Sequence, residues 1–224
     1  MRFQDAARDA RAVVYAGIQA DPLVRRTATL LADATTTQRL LARAVMNGET
    51  VEPDGWRTMF PTLFGASATA DPAELARSEA ILEASLAVAD RGEQVRSQVR
   101  GALVEEVTAQ LLARRAAPEM VRRERRILFD GVRAEIHPYD VTVERDGAAE
   151  AFDCKWGARG INADVLHQLD DARTHAAEED EAISVALVVF DAQRSCDVRL
   201  ARQTAPHEAT RVISLETLDE LARG

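Results

Sequence analysis

Lysine is nearly absent from this chain. Of the 28 basic residues counted as lysine plus arginine among its 224 residues, only Lys155 is a lysine. Cysteine is almost as scarce. Cys154 and Cys196 match no zinc-ligand spacing and make no disulfide framework, which points to a reducing compartment, the cytoplasm. A run of about 18 apolar residues, the length a membrane-spanning helix needs, is also missing, so no membrane association is expected. The first residues, MRFQDAARDARAVVYAG, carry charges throughout and lack the continuous apolar segment of a secretory signal. There is no phosphate-binding loop of the nucleotide-hydrolase type and no arguable Ser/His/Asp set. The four histidines, His137, His167, His175 and His207, show no regular metal spacing.

Positive charge is in deficit as well. A net charge of −9 argues against loose, charge-driven binding to nucleic acid. The one basic stretch gathers Arg114, Arg115, Arg122, Arg123, Arg125 and Arg126. Two readings stand side by side: solvated charges of a helix end and loop, or a phosphate-contacting strip in which Arg122, Arg123 and Arg126 would meet nucleic acid.

The ordinary apolar fraction, 46%, implies a globular chain long enough for one large domain or two small ones. Residues 1–92 read as a helical domain. Apolar residues recur at three- and four-residue spacing (Val13, Val14, Ala16, Ile18; Leu30, Leu31; Leu40, Leu41, Val45). Asp21-Pro22 and Asn47-Gly48 are breaks between helices, Glu52 to Gly55 is a turn, and Phe60 to Ala70 is loop-like. Asp71 caps a further helix with Pro72 at its first position. No chemical motif falls in this half, whose expected role is structural: dimerisation or docking of a partner subunit.

From Glu93 the pattern changes. Residues 93–116 predict a helix with Val95, Val99, Leu103, Val104, Val107, Leu111 and Leu112 on its apolar stripe. Strands are expected at Arg126–Phe129, closed by Asp130-Gly131, then at Tyr139–Glu144 and Glu150–Trp156, with Arg145-Asp146-Gly147 turning between the last two. A helix follows over about Asn162–Glu178. Ile183–Phe190 has the unbroken apolar character of a strand buried on both faces. Val198–Ala201 is a further strand candidate, and Arg211–Ile213 leads into a final helix over Leu215–Ala222. The fold class is therefore α/β, an α+β mixed sheet flanked by helices, in a domain over residues 93–224.

Asp146-Gly147 is a favoured centre for a two-residue turn. With it, Arg145 pairs with Ala148, Glu144 with Ala149, and so on outward until Asp140 stands opposite Asp153. Residues opposite each other in an antiparallel pair share a face, about 4.5–5.5 Å apart at Cβ, and alternation adds Lys155 to that face. Phe152, Cys154 and Trp156 then point to the other, core side, although Trp156 can also be read as lining a groove. Two like charges side by side are destabilising. A divalent cation compensates them: Mg²⁺ takes oxygen ligands from one or two carboxylates, water and phosphate, and can activate water for phosphodiester hydrolysis. An adjacent ammonium offsets developing negative charge. The only lysine of an arginine-rich chain falling here suggests a position that needs a compact point charge. The glycines of Gly157-Ala158-Arg159-Gly160 allow either a plain turn or a close approach to a phosphate backbone, with Arg159 as its contact.

Pro138-Tyr139-Asp140, followed after twelve residues by Asp153-Cys154-Lys155, resembles the signature of the PD-(D/E)XK nuclease superfamily. Residues 93–195 cover it. The resemblance implies a restriction-endonuclease-like αβββαβ core and a Mg²⁺-dependent deoxyribonuclease, with Mn²⁺ as a substitute. It assigns Asp140 and Asp153 to the metal and Lys155 to the nucleophile. Gly101 with a glutamate four residues on, ahead of Leu111-Leu112, resembles the family's first helix and makes Glu105 a further ligand. Gln168-Leu169 resembles the second-helix glutamine of the RecB-like branch, which would approach nucleic acid, although Ala172 stands where that branch often has tyrosine. A small nuclease of this kind suggests restriction or anti-phage defence, by analogy of fold. The alternative is a catalytically silent nuclease-fold subunit for binding or assembly.

Overall fold

The computed structural model describes residues 1–6, 10–48, 52–65, 71–129, 132–133, 137–206 and 209–223. The chain forms two compact units, one of Val13–Val107 and one of Met1–Ala12 with Thr108–Gly224.

The elements run β1 (Arg2–Asp5), α1 (Ala10–Gln19), α2 (Pro22–Ala32), α3 (Thr36–Asn47), α4 (Pro53–Met59), α5 (Pro61–Phe64), α6 (Pro72–Ala89) and α7 (Glu93–Leu112). Then follow β2 (Val121–Phe129), β3 (Val132–Arg133), β4 (Tyr139–Arg145), β5 (Ala148–Lys155), α8 (Ala163–Glu178), β6 (Ala182–Val189), α9 (Gln193–Leu200) and β7 (Arg211–Ile213). No helix among the described residues is long and apolar enough to cross a membrane.

In the helical unit α2 and α3 pack on α6 through Val24, Ala28, Leu31, Leu41, Val45, Ile81, Leu82 and Val88, all essentially fully buried. Local signals fix where these helices begin. Asp21 accepts the N–H of Leu23 at 2.8 Å, with Pro22 at the first helical position. Thr35 and Gln38 close a reciprocal capping box around α3. Arg39, 1% exposed, turns inward instead of snorkelling. Its guanidinium donates to the carbonyls of Leu31 and Ala32 at 3.0 and 3.3 Å, satisfying orphan acceptors at the end of α2. Glu52 to Gly55, read as a turn, is instead the start of α4. Pro53 at the first helical position explains this, since its fixed φ suits a helix start. Pro61 likewise opens the single turn α5 within the expected loop; residues 66–70 of that loop lie outside the described residues.

The sheet unit is mixed α/β. Its strand order is β1-β2-β4-β5-β6-β7, with β3 also on β2. The pairs β1–β2, β2–β4 and β4–β5 are antiparallel, and β5–β6 and β6–β7 are parallel. The parallel step needs a crossover, which α8 supplies. It begins at Asn162, whose side chain accepts the N–H of Val165, and packs on β6 and β2. Val165, Leu166, Leu169 and Ala172 meet Phe129, Leu187 and Val189 in one buried cluster.

Several boundaries differ from the expectation. The division between the two compact units falls inside α7, after Val107. The first residues form β1 on the edge of the sheet, because β2 offers them a ladder. β2 begins at Val121, so Arg122, Arg123, Arg125 and Arg126 are strand residues. α7 stops at Leu112. Val198–Leu200 are helical in α9, not strand. Only Cys196 of that segment is fully buried, and Gln193 bonds Asp197 one turn on at 2.8 Å, a helical spacing. The final segment is a 3-10 turn, Leu218–Ala222. Asp130-Gly131 lies outside the described residues.

Arg115 ties the sheet unit together. It grips Glu150 of β5 with its two terminal guanidinium nitrogens at 2.8 and 2.6 Å, and its Nε donates to the carbonyl of Leu221 at 2.7 Å. These hydrogen bonds from Arg115 hold Glu150 below the usual carboxylate range; burial opposes the shift and Arg145 adds to it. A carboxylate with a lowered folded-state pKa contributes stability above its unfolded value, about 4.3, and loses it as pH falls through the folded value. Arg115→Met is therefore expected to cost about 2 kcal/mol at neutral pH, less than a fully buried broken pair. In urea titrations the gap between the two proteins should close as pH drops below about 4.

Candidate active site

The centre of the sheet is organised by the β4–β5 hairpin. Gly147 takes φ 73°, a left-handed conformation that costs glycine little, and the ladder runs from Arg145↔Ala148 to Val141↔Phe152. The ladder ends at that pair; one further step of the same register would set Asp140 against Asp153. At this point the ladder gives way to a side chain: Asp140 Oδ2 accepts the N–H of Cys154 at 2.6 Å. On the far side of β5, Cys154 Sγ lies 3.5 Å from Thr108 Oγ1.

Asp153 is buried, and the Lys155 ammonium donates to its Oδ1. Burial works against the charged ammonium, but Asp153 and Asp140 outweigh it and hold the Lys155 pKa above its ordinary value. One cation therefore answers both carboxylates. Past Lys155, Trp156 is half-buried and stacks on Phe190 with ring centroids 5.0 Å apart, which matches the core reading better than the groove. Residues Ala158–Gly160 form a 3-10 turn on which Arg159 is exposed.

Glu124 is the residue that sequence reasoning missed. It lies in β2 between Arg123, which pairs with Val141, and Arg125, which pairs with Tyr139. That register sets it across from Asp140, and the two carboxylates have oxygens within 4.8 Å of each other. Its φ is 52°, a left-handed conformation that costs a non-glycine residue about 1–2 kcal/mol. The ladder is thus interrupted where the two carboxylates meet. The only sequence signal was an isolated acidic residue inside an arginine run.

Gln168, expected to face nucleic acid, is 2% exposed. Its Oε1 accepts the N–H of His137 at 3.0 Å, and its carbonyl accepts from Tyr139 Oη at 3.4 Å. It anchors the chain entering β4 just ahead of Asp140. Of the expected phosphate strip, Arg122 is exposed while Arg123 and Arg126 are half-buried. Arg125 is committed to Glu144 at 2.7 Å and to Asp5.

Glu105 belongs to the helical unit and is 4% exposed. Tyr15 Oη donates to one of its oxygens, and Gln19 Nε2 donates to the other at 2.8 Å. A methyl group at Gly101 would lie 3.1 Å from the Tyr15 hydroxyl. The glycine four residues before the glutamate therefore makes room for the phenol that binds it.

Within the sheet unit Glu124 and Asp140 bring carboxylate oxygens within 4.8 Å of each other, hard oxygen donors of the kind Mg²⁺, Mn²⁺ or Ca²⁺ takes, while Asp153 carries the Lys155 ammonium. Comparisons with protein-family models, with curated proteins and with solved structures return no match to this chain.

Tyr15→Phe removes the hydroxyl from a buried carboxylate. A hydrogen bond to a charged group contributes about 1.5–3 kcal/mol, and chemical denaturation should show a loss of that size. A variant as stable as the parent would show that the phenol–carboxylate bond contributes nothing net.

Proposed function

We propose that the chain is a metal-dependent nuclease of the PD-(D/E)XK type, with DNA as its expected substrate, and that its sheet unit is the restriction-endonuclease-like part. The observation that carries this reading is the Lys155 ammonium on Asp153, one register step from Asp140. Two acidic groups that close are costly unless a cation answers them, and the single lysine of the chain answers them here.

Asp140, with Glu124 within reach of it and Asp153 across the hairpin, offers carboxylate oxygens for a divalent cation. A divalent cation held by these residues would supply Lewis-acid charge and water activation for phosphodiester hydrolysis. Lys155 would serve as an electrostatic and hydrogen-bonding group for the phosphate or the incoming water. Cys154 N–H holds the Asp140 carboxylate, and Gln168 holds the backbone leading to it. Both support preorganisation of the site. A role in restriction or anti-phage defence remains the functional setting suggested by analogy of fold.

A second reading is a catalytically silent binding or assembly subunit. It is favoured by the net charge of −9 and by Arg125, which its own chain's carboxylates already engage. Cleavage of plasmid, linear duplex, single-stranded DNA and RNA, each with Mg²⁺, Mn²⁺ or EDTA, separates the two readings. The nuclease reading expects metal-dependent cutting that Lys155→Ala and Asp153→Asn each reduce by at least about 100-fold without unfolding the protein. Cutting in EDTA, or a Lys155→Ala protein as active as the parent, would overturn it. The absence of cutting on any substrate would favour the second reading.

A further inference from the structure

Lys155 ends β5, and its stem carries four rotatable bonds that leave the ammonium free to wander unless something fixes it. The backbone beyond it turns sharply. Gly160 N–H bonds Gly157 O at 2.9 Å and Ile161 N–H bonds Ala158 O at 3.0 Å. The turn is fastened at two points. Asp191 is buried; its Oδ2 accepts the Ala158 N–H at 3.0 Å while its Oδ1 accepts the Ala192 N–H at 2.9 Å. Arg199 Nε donates to the carbonyl of Ile161 at 2.8 Å. Asp191 is itself set against β5, because the preceding residue, Phe190, donates its N–H to Lys155 O at 2.8 Å.

The fastened turn lies directly on the lysine. A Cβ built at Gly160 would stand 2.9 Å from Lys155 Cβ, Cγ and Cδ alike, closer than carbon atoms tolerate. Glycine is not required there by a left-handed backbone, since Gly147 is the described glycine with positive φ. It is required by space. The missing side chain lets the backbone run along three carbons of the stem while the ammonium reaches Asp153.

We propose that Asp191 and Gly160 are positioning residues for Lys155. Asp191 fixes the turn after β5, and Gly160 presses that turn against the lysine stem, which leaves the ammonium one direction to point. Neither residue touches the reacting atoms. The inference rests on the reading of Lys155 as a working group of the nuclease site, but its test does not depend on cleavage.

With a single lysine in the chain, ¹³C-lysine labelling of the full-length protein yields one set of side-chain signals. The parent should show inequivalent geminal protons along the stem and nuclear Overhauser contacts from the Cγ and Cδ methylenes to the Gly160 α protons. Asp191→Asn keeps the shape but leaves one of the two N–H donors facing an amide NH₂. The contacts to Gly160 should then fade and the methylene shifts should collapse toward those of a free lysine. Gly160→Ala should displace the same signals. In cleavage assays both variants should lose roughly 10- to 100-fold in kcat with KM unchanged, the signature of a misplaced group.

Backbone amide spectra check that each variant folds. If Asp191→Asn does not fold, Gly160→Ala carries the test, since it alters a half-exposed turn. Folded variants whose Lys155 signals match the parent would overturn the proposal. A parent that fails to cleave would count against the nuclease reading alone, because the lysine signals still decide whether the turn positions the side chain.

Discussion

Asp153 and Asp140 both act on one ammonium, that of Lys155, and the hairpin register between β4 and β5 sets the terms. A shift of one residue in that register would send Asp153 and Lys155 to the opposite face. Gly147 at the turn and the run of five ladder pairs from Arg145↔Ala148 to Val141↔Phe152 hold the register observed. Once it is set, Asp140 and Asp153 lie at the same end of the hairpin, and the lysine two residues past Asp153 is acted on by both.

The regular ladder does not survive at that point. Asp140 takes a backbone N–H with its side chain, and Glu124 adopts a left-handed backbone across from it. Both features exchange sheet regularity for convergence of charged groups, the kind of local cost that accompanies functional sites in folded proteins. Around them the supports are ordinary: a buried glutamine on α8, a turn held by Asp191, and an aromatic pair in Trp156 and Phe190. The same register also fastens the hairpin's outer end, where Glu150 meets Arg115 and Arg145.

The arginines show how a basic run can serve the fold. Arg39 closes the end of α2, Arg115 joins β5 to the C-terminal turn, and Arg125 bridges β1 and β4 through Asp5 and Glu144. Planar, multiply donating guanidinium groups suit such bridging. In the helical unit Glu105 illustrates the same economy from the acidic side: both of its oxygens are engaged by α1, and Gly101 makes the space for one of the donors.

The sequence by itself determined what depends on neighbours along the chain. Asp71-Pro72 announces a helix start through capping chemistry, and Asp21-Pro22 announces a break between helices. Asp146-Gly147 announces the hairpin, and counting outward from it pairs Asp140 with Asp153 because strand alternation has a fixed period. Ile183–Phe190 announces a strand by its apolar run, buried in the structure from Ala186 onward. Only the tertiary structure decided what depends on distant partners. Arg2–Asp5 becomes a strand because β2 lies open to it. Arg122–Arg126 becomes strand although arginine has no strong preference for one, because β1 and β4 supply ladders on both sides. Glu124 joins Asp140 through a pairing of strands β2 and β4 that no local pattern encodes. Gln168 is buried because the chain entering β4 needs an acceptor there. Turns and caps are short-range hydrogen-bonding events that composition reveals, whereas strand pairing and burial depend on which surfaces the rest of the chain brings together.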